Sequence, residues 1–182
     1  MTVDLSDRRD EELAGEAARE GADGPALAEL VRRHRDRVWR ICYRLMGNED
    51  DASDAAQEVF VRLFFHRDKF AGRSLYTTWV HGIAVRTCLG SRRSRGRRQQ
   101  RIGLFGDNPL AEQAAKTPAE GDSLDLEMML DTLEEEDRAI LILKYSEGYE
   151  YEELAEMFEL SPSACKMRVS RARDKIKQRF GG

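Results

Sequence analysis

Apolar residues recur at every third or fourth position along most of this chain, and no segment alternates apolar with polar as a half-buried strand would. Residues 10–20 form a first short helical pattern. From Pro25, a residue suited to a first turn, Leu27, Leu30, Val31, His34, Val38, Ile41, Cys42 and Leu45 trace a longer helix that stops at Gly47-Asn48. Residues 51–64, DASDAAQEVFVRLF, put Ala52, Ala55, Val59 and Leu63 on one face with Ala56 and Phe60 beside it. Asp51, Asp54, Gln57 and Glu58 fall on or near the other face, and Asp50 or Asp51 is expected to cap the helix start. HRDKFAGR, residues 66–73, reads as a loop. Ser74 is expected to cap a fourth helix carrying Leu75, Thr78, Trp79, Ile83, Ala84 and Thr87.

Between Ser91 and Gly121 the period fades while Gly, Pro, Gln, Asn and Arg accumulate, the pattern of a flexible linker. Leu126, Met129, Leu130 and Leu133 then mark a fifth helix, and Ile140, Leu141 and Leu143 a sixth that ends at Gly148. Two more follow, Tyr151 to Phe158 and Pro162 to about Arg179, separated by Glu159-Leu160-Ser161 alone. The expected fold is all-α: a tail over residues 1–9 and two small helical domains, 10–95 and 122–182, joined by a linker over 96–121.

Net charge is only −4 over 182 residues, yet 35% of them are charged, and the charges come in blocks. Arg86 to Arg101 holds seven arginines and no acid, and Lys166 to Arg179 holds seven basic residues against Asp174. Glu120 to Glu159 holds fifteen acids against Arg138 and Lys144. Such blocks imply separate surfaces with separate partners. Cys42, Cys88 and Cys165 are dispersed and odd in number, which argues against a disulfide framework and against zinc, and His34, His66 and His81 lack metal-ligand spacing. No cofactor is implied. The polar N-terminus is not that of a signal peptide, and no apolar run approaches the ~18 residues of a membrane span, so a cytoplasmic protein is expected.

Residues 151–178, YEELAEMFELSPSACKMRVSRARDKIKQ, carry the pattern of a helix-turn-helix. Ala155 is small enough for close helix approach, Leu160 and Val169 can fill the space between the helices, and Ser161 and Pro162 start the second one. Ser163, Lys166, Met167, Ser170 and Arg171 share its outward side, flanked by Arg168 and Arg173. An ordinary hairpin with a solvated basic face is the plainer alternative, but cap, turn length and cationic helix coincide. Upstream, Phe64, Phe65, Phe70, Tyr76 and Trp79 interleave with Arg67, Lys69, Arg73 and Arg86, as a single-stranded nucleic acid site requires. Trp79 and Phe60 sit on apolar faces and belong to a core; Phe70 and His66 are better placed to meet bases.

Together, ELVRRHRDRVWRICYRLMGNEDDASDAAQEVFVRLF, FAGRSLYTTWVHGIA and LEEEDRAILILKYSEGYEYEELAEMFELSPSACKMRVSRAR resemble an extracytoplasmic-function (ECF) sigma factor of the sigma-70 family. The first two are similar to sigma region 2 and the third to region 4. The resemblance implies that the helix over Asp51 to Leu63 docks on the β′ coiled coil of core RNA polymerase, with Asp54, Gln57, Glu58, Val61 and Arg62 as contacts. The β flap would be a second polymerase contact. It implies −10 DNA contacts at His66, Phe70, Arg73 and Arg86, and −35 contacts at Ser163, Lys166, Arg168, Ser170, Arg171 and Arg173. Promoter DNA is then the second partner, an anti-sigma factor holds many relatives, and no catalysis is expected. Departures from the family pattern include Glu150 where a Ser or Thr cap is usual, and Ser163-Ala164-Cys165 where Gly-Thr-Val is common. A helix-turn-helix regulator that ignores polymerase would explain only the C-terminal third. A hydrolase using Asp50, Asp51, Asp54 and Glu58 as metal ligands would lack a His or Lys at catalytic spacing.

Overall fold

The computed structural model describes residues 5–20, 24–105, 126 and 128–180, with the side chains of residues 99, 100 and 102–105 left aside. Seven α-helices account for most of these: α1 (Asp10–Arg19), α2 (Pro25–Met46), α3 (Glu49–Phe65), α4 (Tyr76–Phe105), α5 (Glu135–Ser146), α6 (Tyr151–Phe158) and α7 (Pro162–Phe180). A 3-10 turn, Arg67–Lys69, interrupts the loop between α3 and α4. Among the described residues no helix is long and apolar enough to cross a membrane.

In the N-terminal half, α2 is the central rod against which α1, α3 and α4 pack. Of the stripe the spacing predicts, Leu27, Leu30, His34, Val38, Ile41, Cys42 and Leu45 are buried and Val31 is half-buried, and it meets Ala52, Ala55, Val59 and Leu63 of α3. Fully burying each Leu, Ile or Val is worth about 1.5–3 kcal/mol. Alanines on α3 let its backbone come close to α2, so its polar edge is left facing outward.

Helix starts differ from the expected caps. Asn48, not Asp50 or Asp51, is the N-cap of α3: its side-chain oxygen accepts the Asp51 N–H at 2.9 Å while its amide donates to Asp51 Oδ2 at 2.7 Å. At α4 the Tyr76 N–H donates to Glu11 Oε1 of α1 at 3.2 Å, a long-range carboxylate in the place Ser74 was expected to fill. Glu150, unusual as a cap, sits in a reciprocal box with Glu153, whose carboxylate accepts the Glu150 N–H at 2.9 Å.

α4 is longer than its apolar period indicates. It continues to Phe105, so residues 96–105 of the expected linker are helical, and 106–121 lie outside the described residues. Of the expected fifth helix, residues 126 and 128–130 are helical and run into a turn at 131–133, while 127 lies outside the described residues.

α5, α6 and α7 form the C-terminal half around Ile140, Leu143, Leu154, Met157, Cys165 and Val169, all buried. This half is docked on the first, with α6 and α5 lying against α4 and α5 also touching α2. Ion pairs border the junction. Arg92 is bidentate to Glu135, Arg93 meets Glu136, and Glu147 is approached by Arg37 at 3.3 Å and Arg44 at 3.5 Å. The acidic block therefore meets part of the arginine run within the chain.

Candidate nucleic-acid interface

Three surfaces carry the candidate residues. The first is the outer side of α3, where Asp54, Gln57, Glu58, Val61 and Arg62 are all exposed on adjacent turns. Glu58 Oε1 accepts from Arg62 Nη2 at 2.5 Å, an i,i+4 pair of the favourable polarity. Val61 and Phe65 are 54% and 67% exposed, a large apolar step in the middle of a polar face. Trp39 of α2 adjoins this surface: its indole N–H lies 3.5 Å from Ser53 Oγ, and its ring stacks on Tyr43 with centroids 5.2 Å apart. Asp51 is turned away to an ion pair with Arg95 of α4, which holds its carboxyl below the usual range against the opposing effect of partial burial.

The second surface is a cleft of about 340 Å³ between the 69–74 segment, α4 and α6. Lys69, Phe70, Arg73, Trp79 and Arg86 line it together with Glu156 and Glu159. Phe70 leans edge-on against Tyr76, centroids 5.1 Å apart, and lies 5.6 Å from Trp79, so an aromatic floor underlies the basic rim. Tyr76 is buried and Trp79 half-buried, as a core role requires. Four predicted residues separate here. Phe70, Arg73 and Arg86 share the cleft; His66, exposed at the end of α3, is absent from its lining.

The third surface is the outward side of α7. The Ser161 hydroxyl accepts the Ala164 N–H at 3.1 Å and Pro162 opens the helix, while Ala155, Cys165 and Val169 close the joint with α6. Burial pushes the Cys165 thiol pKa up, so it stays a neutral packing group. Ser163, Lys166, Met167, Ser170, Arg171 and Arg173 are exposed. Lys166 Nζ lies 5.5 Å from the Tyr151 ring centroid, a cation–π distance. Arg168 is different. It reaches back to Glu136 at 3.0 Å and Asp137 at 2.9 Å on α5 and is half-buried, so it ties two helices together.

Residues 30–98 match the family described as Sigma-70 region 2, and residues 123–176 match Sigma-70, region 4. The chain is 33% identical over 179 residues to the ECF RNA polymerase sigma factor SigE of Mycolicibacterium smegmatis, covering 96% of this chain and 69% of that one. It belongs to the ECF group of the sigma-70 family. SigW of Bacillus subtilis, also an ECF RNA polymerase sigma factor, is 24% identical, with 87% of this chain and 90% of that one covered. Two solved structures share the fold. CnrH in complex with the cytosolic domain of CnrY matches with TM-score 0.64 and 22% identity, over 94% of this chain and 97% of that one. RpoE in complex with the anti-sigma factor NepR, from Bartonella quintana, matches with TM-score 0.61 and 23% identity, over 83% and 94%.

As a sigma factor the protein binds core RNA polymerase and promoter DNA and directs transcription initiation. Sigma factors are DNA-binding initiation factors, not enzymes. Among the described residues, no three His, Cys, Asp or Glu side chains are grouped to hold a metal. Periodicity could not find Trp39 on the first surface, because an exposed aromatic at helical spacing looks like core until its neighbours are known; Phe65, grouped in the sequence with the single-strand aromatics, stands exposed beside Val61 instead. The Arg168 tie was equally hidden, since its acids lie 31 and 32 positions away.

Proposed function

We propose a division of labour among the three surfaces of this sigma factor. The outer face of α3, with Asp54, Gln57, Glu58, Val61 and Arg62, docks on the polymerase β′ coiled coil. A partner covering Val61 and Phe65 would remove apolar area from water, and the acids around them suit a basic partner surface. Phe70, Arg73 and Arg86 hold the −10 strand in single-stranded form, and His66 lies on the approach to it. Ser163, Lys166, Ser170, Arg171 and Arg173 face the −35 duplex, while Arg168 positions the helix that carries them. The observation that carries the reading is the cleft itself, a basic rim over an aromatic floor, the two features that single-strand binding needs.

Geometry adds a requirement. The −10 and −35 elements are about 25 base pairs apart, roughly 85 Å at 3.4 Å per base pair. A compact chain of this length has a radius of gyration of about 16 Å. The two halves must part for both elements to be held together, and the chain between 105 and 126 is long enough to allow it, up to roughly 70 Å at full extension. Work of this kind is done where polymerase and chromosome are, in the cytoplasm.

Run-off transcription with core polymerase on a library of promoter fragments tests the reading. Discrete start sites with the wild-type protein, lost on combined Phe70→Ala and Arg86→Ala, are expected. Unaltered initiation by that double variant would remove the cleft from the −10 role.

A further inference from the structure

We infer that Met167 reads a thymine of the −35 element, by laying its side chain against the C5 methyl group in the major groove. The inference rests on the reading of α7 as the −35 face, and it names the base at one position there.

Met167 is the apolar member of an outward row whose others are Ser163, Lys166, Ser170, Arg171 and Arg173, and it is 52% exposed. Three cations of this helix lean on its neighbours. Lys166 Nζ is 5.5 Å from the ring centroid of Tyr151, which Lys144 Nζ also approaches, at 4.7 Å. Arg173 Nη1 stands 3.5 Å from the Tyr145 hydroxyl on α5, and Arg168 is held by Glu136 and Asp137. Met167 and Arg171 instead meet each other. Arg171 Nη2 donates to the Met167 sulfur at 3.5 Å, one helical turn back along the same face. The middle of the outward side is thus a thioether beside a guanidinium.

The chemistry of these two groups divides the base edges between them. A guanidinium suits the paired acceptors O6 and N7 of guanine. A thioether has no donor and is a weak acceptor, so it answers none of the donor and acceptor patterns of guanine, cytosine or adenine. Pressed against one of those edges, it would strip water from a base polar group and give nothing in return. Thymine alone among the four bases offers an apolar group in the major groove, its C5 methyl. Methionine is unbranched and has three rotatable bonds, so its end can follow that methyl without a shift of the helix.

Spacing sets the neighbourhood. Four residues of helix rise about 6 Å, less than two base-pair steps of roughly 3.4 Å. The thymine therefore lies within about two base pairs of the guanine that Arg171 reads.

The test is selection, by core polymerase carrying the full-length chain, from promoter duplexes randomised across the −35 element. A fixed thymine close to a fixed guanine is the expected outcome. Deoxyuridine in place of that thymine removes the methyl group and keeps the base pair, and should weaken binding about fourfold, the worth of one buried methyl. Met167→Ala should bind the thymine and deoxyuridine duplexes alike. Met167→Leu, which keeps apolar bulk without the sulfur, should retain most of the difference. Met167→Gln should move the preference at that position toward adenine, whose N6 and N7 suit a carboxamide. A selected element without thymine, a wild-type protein blind to the methyl at every thymine, or a Met167→Ala variant that still detects it, each overturns the assignment. In those cases a guanine preference lost on Arg171→Ala leaves α7 as the −35 face. No sequence selection at all, or selection unaltered by both Met167→Ala and Arg171→Ala, overturns both readings.

Discussion

Tyr149, at the end of the α5–α6 connection, places its hydroxyl 2.7 Å from Nδ1 of His81 on α4, and the pair is buried at the junction of the two halves. Arg37 of α2 lies 5.3 Å from the Tyr149 ring centroid and contacts the Glu147 carbonyl at 3.2 Å, while His34 stands edge-on to His81 with centroids 6.2 Å apart. The junction is thus sealed by a polar cluster whose members come from two helices and a loop.

That cluster makes the docked fold sensitive to acid. Burial, with His34 and Arg37 close by, lowers the His81 pKa to about 3, from an ordinary value near 6.5. The unfolded chain therefore takes up a proton below pH ~6.5 that the folded chain refuses until about pH 3. Stability is full above 6.5 and falls with pH across that window, by up to about 1.4 kcal/mol per unit. His81→Gln should remove this contribution. Urea unfolding of wild type and variant at pH 7.5 and pH 5.5 should show the wild type losing about 1 kcal/mol more, and an identical pH response would exclude His81 as its source.

The N-cap of α3 can be separated from its acidic neighbours. Asn48→Ala should cost about 1 kcal/mol, in the range of 0.5–2 for lost caps. Asp50→Ala, at an exposed position in the first turn, should cost only a few tenths. Thermal unfolding ranks the two, and the reverse order would return the cap to the aspartates.

On the α3 face, Gln57→Ala combined with Val61→Asp should weaken core polymerase binding by tenfold or more without altering far-UV circular dichroism. Both side chains are exposed, and an acid at the centre of a covered apolar patch would be buried unpaired. Glu58→Ala alone should do less, because it also frees Arg62 from their mutual ion pair. Competition against an unrelated sigma factor measures both; no change for the double variant would move the contact elsewhere.

Along α7 the arginines should divide by role. Arg171→Ala should lose about 1–3 kcal/mol on a cognate −35 duplex relative to a scrambled one. Lys177→Ala should weaken both equally and shallow the log–log salt slope by about one. Arg168→Ala should instead lower the unfolding midpoint of the protein, since it leaves Glu136 and Asp137 without their shared partner. A base-selective loss for Arg168→Ala with unchanged stability would reverse that assignment.

The sequence alone determined what depends on near neighbours along the chain. The buried stripe of α2, the alanine face of α3, the Gly47 stop and the Ser161-Pro162 start of α7 were all legible, because helix period, caps and turn chemistry act over four residues or fewer. The three candidate surfaces came from the resemblance to ECF sigma factors, laid over that local pattern. Tertiary structure alone decided which charges are free. Arg92, Arg93 and Arg95 read as an open cationic track, yet Glu135, Glu136 and Asp51 claim them from 43 and 44 positions away. Arg168, expected on the DNA-facing side, is tied to Glu136 and Asp137 of α5; Ser74 looked like a cap and gives way to Glu11; α4 outran its apolar period. Ion pairs and carboxylate caps form wherever two chain segments happen to be brought within a few ångströms. That proximity is set by how the hydrophobic faces pack, so no local pattern of residues records it.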